Sequence, residues 1–284
     1  YRIIIFNMSK KFSFIITCRD DNYGDNKQFY NRFINTTFIN RLEKQLKTNI
    51  KNILKYFKED EFEILIVDWS PLDGKYLYKN KEIEDILRLP YIKNVIVDST
   101  AVLHMGCKVE SFYEAFSKNV GIRQAEGEFI LLTNADIILD DVLIQETCNL
   151  IKNCFDPDKY YWRCHSRKDV DFNLNLIEEG LSFGNNKGKD YFFRTKGNGE
   201  IDIETTKPPN IDINDILFDT YLGCPAAGDY LLINREIIIN KGRGYDESNS
   251  FRLQGGEKYT PTSKIRTYNS NQDGEILFNL YKNG

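Results

Sequence analysis

Asn119-Val-Gly-Ile-Arg-Gln-Ala-Glu-Gly-Glu-Phe-Ile-Leu-Leu-Thr-Asn-Ala-Asp136 decides how this chain is read. A helical run from Ser111 to Gln124 closes in Ala125-Glu126-Gly127. The apolar strand Phe129–Thr133 follows at once and stops at Asn134-Ala135-Asp136. Helix, glycine turn, buried strand and polar strand end form one unit of an α/β sheet. Alone, Asn-x-Asp is an ordinary turn. At the carboxyl end of a parallel strand it stands where such sheets bind ligands.

Working outward, the same alternation repeats. Phe12–Thr17 is an apolar, β-rich run followed by the polar turn Cys18–Asp25. Phe29–Phe57 carries Phe33, Phe38, Leu42, Leu46, Ile50 and Ile53 at helical spacing. Phe62–Val67 is a second strand ending at Asp68, with Pro71 and Gly74 breaking structure beyond it. Glu82–Leu89 reads as a short helix stopped by Pro90, Val95–Val97 as a third strand, and Asp140–Cys154 as an amphipathic helix. Strands alternating with helices imply an α/β, Rossmann-like fold: a mostly parallel central sheet with helices on both faces. The second half is less regular. Gly180–Asn210 reads as a long loop and Ser248–Asn271 as polar and irregular. Between them lie a strand, Tyr230–Ile233, and a short helix, Arg235–Asn240; a terminal helix covers Asp273–Lys282.

Composition narrows the function classes. The chain has 284 residues, 41% hydrophobic and 28% charged, as in an ordinary globular domain. A net charge of −4 gives no basic field for nucleic acid. No apolar run approaches the about 18–20 residues that span a bilayer, so no membrane segment is expected within the chain. The six cysteines form no C-x-x-C pair and fit a reducing, cytoplasmic setting. The chain opens on Tyr1 rather than Met, so it reads as a fragment, with Met8 an alternative start. A region outside it could attach it to the cytoplasmic face of a membrane. The abundance of Lys, Asn and Ile suits an AT-rich bacterial or viral genome.

Polar residues gather at four strand ends: Arg19-Asp20-Asp21-Asn22, Asp68, Asp98 and Asn134-Ala135-Asp136. Together they suggest a cleft for a cation and hydroxyl groups. A departing diphosphate needs a divalent cation to neutralise its charge, and a hard cation takes carboxylate and phosphate oxygens. Asp136 can supply one such ligand.

With these residues in place, the chain resembles glycosyltransferases of the GT-A fold, and among them the large family 2. That family shows Asn-x-Gly-x-x-x-Ala-x-Gly-Glu, a strand, then Asp-x-Asp; Asn119, Gly121, Ala125, Gly127 and Glu128 match the first block. Asn134 replaces the first Asp of the second. The resemblance covers about Phe12 to Gly284. It implies one domain over 1–284, with a nucleotide-sugar-binding half at 12–136 and an acceptor-binding half at 137–284 whose mobile loops lie about 180–210 and 248–271. It places Thr17, Arg19, Tyr23, Asp68, Asn119, Arg123 and Asn134 at the donor, Asp136 at a Mn²⁺ or Mg²⁺ ion, and Asp229 and Asp246 at the acceptor. Asp273 matches the catalytic base, with Gln272 in place of the usual Glu and Glu275 as fallback. The implied activity is metal-dependent, inverting transfer of a sugar from a nucleotide-diphosphate sugar, first of all a UDP-sugar, to a hydroxyl of a glycan.

Other residues carry weaker signals. His104 reads as structural, in a polar loop before a helix. His165 could reach the cleft, and Tyr160, Tyr161 and Trp162 could stack on sugars or pack the core. Two alternatives remain. One is a non-catalytic carbohydrate- or nucleotide-binding module, kept open by Asn134 and Gln272. The other is a sugar nucleotidyltransferase, disfavoured because Cys18–Gly24 holds one glycine and two acids. No G-x-x-x-x-G-K-[ST] occurs, and no G-x-G-x-x-G follows the first strand.

Overall fold

The computed structural model describes residues 10–20, 37–71, 74–110, 112–135, 137–153, 160–163, 167–170, 173–174, 193–196, 202–205 and 230–241. Four parallel strands form one half of a seven-stranded sheet: β1 (Phe12–Cys18), β2 (Phe62–Trp69), β3 (Ile92–Val97) and β4 (Phe129–Asn134). The sheet continues through β6 (Tyr160–Arg163), β9 (Asp202–Thr205) and β10 (Leu231–Asn234) in the order β3-β2-β1-β4-β10-β6-β9. The added strands pair antiparallel. A second, three-stranded sheet joins β5 (Ile137–Leu139), β8 (Phe193–Lys196) and β7 (Arg167–Val170) in the order β5-β8-β7.

Every residue of β1 and β2 is buried, as strands covered on both faces must be. Alternation divides their side chains between two cores. Phe12, Phe14 and Ile16 pack with α1 (Phe38–Ile53), α5 (Asp141–Asn153) and Ile86 of the short α2 (Glu84–Leu87). Ile15, Leu65 and Val67 pack on the other face with α3 (Ser99–His104), α4 (Glu114–Gln124) and Ile237. The expected mostly parallel sheet with helices on both faces is therefore present.

α1 begins where Thr37 and Asn40 form a reciprocal capping box, and its Leu42, Leu46 and Ile53 are fully buried. The earlier part of the expected helix, from Phe29, lies outside the described residues, and 54–57 form a turn. α4 lies close on the sheet because Gly121 has no side chain: a Cβ there would stand 2.5 Å from Ile15 Cγ2 and 3.3 Å from Val67 Cγ2.

Four expectations are corrected. The segment read as a loop around 180–210 contains β8 and β9; the alternation of Ile201-Asp-Ile-Glu-Thr explains β9. β5 follows β4 after only two residues, where no strand was expected. His104 ends a helix rather than lying in a loop, because Asp98 accepts a hydrogen bond from the Ala101 N–H at 2.8 Å and starts α3. Residues Ile237–Lys241 form a π-helical turn in place of the expected α-helical end. The segments 248–271 and 273–282 lie outside the described residues.

Candidate functional site

Parallel pairing aligns the carboxyl ends of β1, β2 and β4. Thr17 stands beside Val67 on one side and Asn134 on the other, and Cys18 stands beside Asp68. Thr17 and Asp68 are buried, and Asn134 is partly exposed. The structure thus brings together Thr17, Asp68 and Asn134 from segments far apart in sequence.

Asp68 is the most unusual group there. Its side chain is fully buried. Oδ2 accepts from the Leu77 N–H at 3.0 Å. Oδ1 has no hydrogen-bond partner among the described residues. Burial pushes its pKa from 3.8 up to about 6; the Leu77 hydrogen bond works against this and the nearby Asp20 charge adds to it. A buried carboxyl with an open oxygen at a strand end is chemistry for a donor N–H or hydroxyl.

The backbone beside it is strained. Ser70, two residues on, has φ 46°, in the left-handed region. Its N–H donates to Val97 O at 2.7 Å and its hydroxyl to Val109 O at 3.0 Å. Arg19 Nη1 donates to the same Val109 carbonyl at 3.3 Å. One carbonyl of the α3–α4 connection therefore ties the ends of β1 and β2 together and orients Arg19, which is itself buried.

On α4, Asn119 is buried. It lies nearer the carboxyl ends of the strands than Gly121, since α4 runs antiparallel to them. Lys118 was missed by sequence reasoning. It shares the sheet-facing side of α4 with Gly121, one turn nearer the helix start, and is 1% exposed with Nζ 2.7 Å from Glu114 Oε1. A lysine in a mixed-charge helix reads as solvated; only its i, i+3 spacing to a sheet-facing glycine signalled otherwise.

One expected residue lies elsewhere. Arg123 is exposed near the end of α4 that leads to Gly127, which touches the beginning of β1. It therefore stands towards the amino ends of the strands. Asp98 directly follows β3, as expected, and its side chain caps α3. Tyr23, Asp136, Asp229, Asp246, Asp273, Glu275 and His165 lie outside the described residues. Tyr160, Tyr161 and Trp162 belong to β6, inside the large sheet. Among the described residues no three His, Cys, Asp or Glu side chains converge as a metal site. The described cysteines Cys18, Cys107 and Cys148 are buried thiols that form no disulfide among the described residues. No helix among the described residues is long and apolar enough to cross a membrane.

The Ala125-Glu126-Gly127 turn sits at the opposite end of the sheet. The Ser13 hydroxyl donates to Glu63 Oε1 at 2.5 Å and accepts from the Gly127 N–H at 2.8 Å. The Glu126 N–H donates to Glu63 Oε1 at 2.6 Å. The motif that stood out in the sequence is, at this turn, a packing device.

No family model matches the chain, and no curated protein does. Solved structures do. S. aureus TarS 1–349 aligns at TM-score 0.43 and 14% identity over 96% of this chain and 56% of that one. The mannosyltransferase PcManGT from Pyrobaculum calidifontis, in complex with GDP-Man and Mn²⁺, aligns at TM-score 0.42 and 15% identity over 84% and 50%. Glucosyl-3-phosphoglycerate synthase from Mycobacterium tuberculosis, in complex with UDP, aligns at TM-score 0.39 and 8% identity over 95% and 80%. The chain spans about half the length of the first two.

Proposed function

We propose that this chain is a glycosyltransferase that moves a sugar from a nucleotide-diphosphate sugar to an acceptor hydroxyl. The observation that carries the reading is the buried Asp68 carboxyl, one oxygen open, aligned with Thr17 and Asn134 at the carboxyl ends of parallel strands. Ligands of open α/β sheets bind there. A nucleobase N–H is a donor that Asp68 Oδ1 can accept, and Asn134 can hydrogen-bond a ribose hydroxyl. Arg19 and Lys118 supply positive charge for the diphosphate.

Asp273 takes the proton as the acceptor oxygen bonds to the anomeric carbon. The bond from that carbon to the diphosphate breaks, and the nucleoside diphosphate leaves. With one displacement the anomeric centre inverts. A carboxylate is a hard oxygen ligand suited to a divalent ion shared with the substrate, and Asp136 would hold it. Such an ion would neutralise charge on the departing diphosphate. Asp229 and Asp246 would receive the acceptor.

The test is a thermal-shift panel of UDP-, GDP-, CMP- and dTDP-sugars with and without Mn²⁺, followed by a donor-turnover assay. One nucleotide class should stabilise the protein in a metal-dependent way, and Asp136→Ala should abolish the shift. Asp273→Asn should keep the shift and lose turnover. Neither shift nor turnover with any donor would overturn the reading.

A further inference from the structure

Three polar side chains of α1 point into the molecule. Gln45, Asn49 and Asn52 lie at i, i+4 and i+7, and Gln45 and Asn49 are fully buried. Burying an amide is costly unless every group is paired, and Leu42, Leu46 and Ile53 already give α1 its apolar stripe. These amides bind backbone. Asn52 Nδ2 donates to Leu139 O at 2.9 Å. Asn49 Nδ2 donates to Ile137 O at 3.1 Å, while its Oδ1 accepts from the Leu139 N–H at 2.9 Å. In this way α1 pairs one edge of β5 as a strand would, β5 being paired with β8 on the other.

Gln45 does something different. Its Nε2 donates to Asn134 O and to Ile137 O, both at 3.1 Å. One amide thus bridges the last carbonyl of β4 and the first of β5. Only Ala135 and Asp136 lie between them. Gln45 Oε1 is buried and has no partner among the described residues, leaving an open acceptor beside this two-residue step.

We infer that Gln45, backed by Asn49 and Asn52, is a positioning residue for the end of β4. By tying the carbonyls of Asn134 and Ile137 to a helix, it sets where Asn134 meets the donor. The inference rests on the transferase reading above. Apolar residues of the same size would fill the space and leave the two-residue step free to shift. A displacement of about 1 Å at a reacting centre costs on the order of 10²-fold in rate.

The experiment compares wild type with Gln45→Met, which conserves volume, and with Gln45→Glu. In Gln45→Met, amide exchange across 134–139 should speed up at least about tenfold while β1 keeps its protection. Donor-turnover kcat should fall about 10- to 100-fold with donor KM within about threefold. In Gln45→Glu the introduced carboxyl donates only when protonated, so the rate relative to wild type should rise as pH falls. A purely structural role would not move that ratio. Unchanged exchange at 134–139 overturns the inference. So does faster exchange with an unchanged rate, or loss of exchange protection throughout the molecule in both variants. A wild type that turns over no donor overturns the transferase reading and the catalytic half of the inference with it. The exchange arm then still decides whether Gln45 holds the end of β4.

Discussion

Gly127 lies so close to β1 that a Cβ on it would stand 2.4 Å from the carbonyl carbon of Phe12 and 2.4 Å from the amide nitrogen of Ser13. Backbone cannot yield there without moving a central strand. Gly121→Ala would instead meet Ile15 Cγ2 at 2.5 Å, the end of a side chain that can turn. Gly127→Ala should therefore cost on the order of 4 kcal/mol or more, and Gly121→Ala about 1–3 kcal/mol. Urea unfolding of the two variants measures both; equal costs would contradict the close approach of Gly127.

The same relationship shows what was legible in the sequence. Strand–helix alternation identified β1 to β4, α1, α4 and α5, because runs such as Phe12–Ile16 and Phe62–Val67 are apolar enough to be covered on both faces. The run from Asn119 to Asp136 was conspicuous, but Gly121 and Gly127 are there for packing, and among its described residues only Asn119 and Asn134 approach the candidate site. Arg123 shared the motif and faces solvent. Gln45 and Asn49 could not be read as inward-facing, since their partners are backbone groups about ninety residues away. Lys118 was hidden for a similar reason: its burial depends on how closely Gly121 lets α4 approach the sheet. The strands β8 and β9 are too short, in too polar a segment, to stand out.

Asp68 leads to a pH dependence of opposite sign to that of a salt-bridged acid. Its folded pKa of about 6 lies above the ordinary 3.8. The native state therefore holds the proton more tightly, and this stabilisation is full below pH 3.8 and lost as pH rises through 6. At neutral pH the buried charge costs about 3 kcal/mol, since each tenfold gain in proton affinity on folding is worth about 1.4 kcal/mol. Asp68→Asn should raise stability at pH 7.5 by about 1–3 kcal/mol and flatten the profile between pH 4 and 7, while abolishing stabilisation by donor. Chemical denaturation at several pH values, with and without nucleotide, tests this. A variant less stable than wild type at pH 7.5 would contradict it.

The network under the sheet should affect stability and nothing else. Lys93 Nζ lies 2.8 Å from Glu63 Oε2 and 2.6 Å from Glu126 Oε1. Burial works against its charge, but hydrogen bonds to Glu126 and Glu63 outweigh that and raise its pKa above 10.5. Its contribution is thus present at neutral pH and lost only in strong alkali. Ser13→Ala should cost about 1–3 kcal/mol, because it strands the buried Gly127 N–H. Lys93→Met should cost about 1–2 kcal/mol, reduced because the lysine is partly exposed. Both should leave the donor-induced thermal shift intact, since the network sits at the amino ends of the strands. A loss of that shift in a folded variant would place the donor elsewhere.

Lys118 and Arg123 stand five residues apart on α4 and face opposite surroundings. Arg123 is exposed and displaced towards the amino ends of the strands. Lys118 is 1% exposed, and its partner Glu114, at 35%, is the more open of the pair. A diphosphate reaching the strand ends would meet a cation already desolvated and held in place, so binding it would cost little further ordering. Arg123→Ala should change nucleotide-diphosphate affinity by less than about twofold. Lys118→Met keeps most of the side chain's length and removes its charge, and should weaken the same nucleotide at least about tenfold, or about 1.4 kcal/mol. Titration calorimetry on the folded variants gives both numbers. If Arg123→Ala proved the weaker binder, the diphosphate would have to approach from the exposed face of α4 rather than across the ends of β1, β2 and β4.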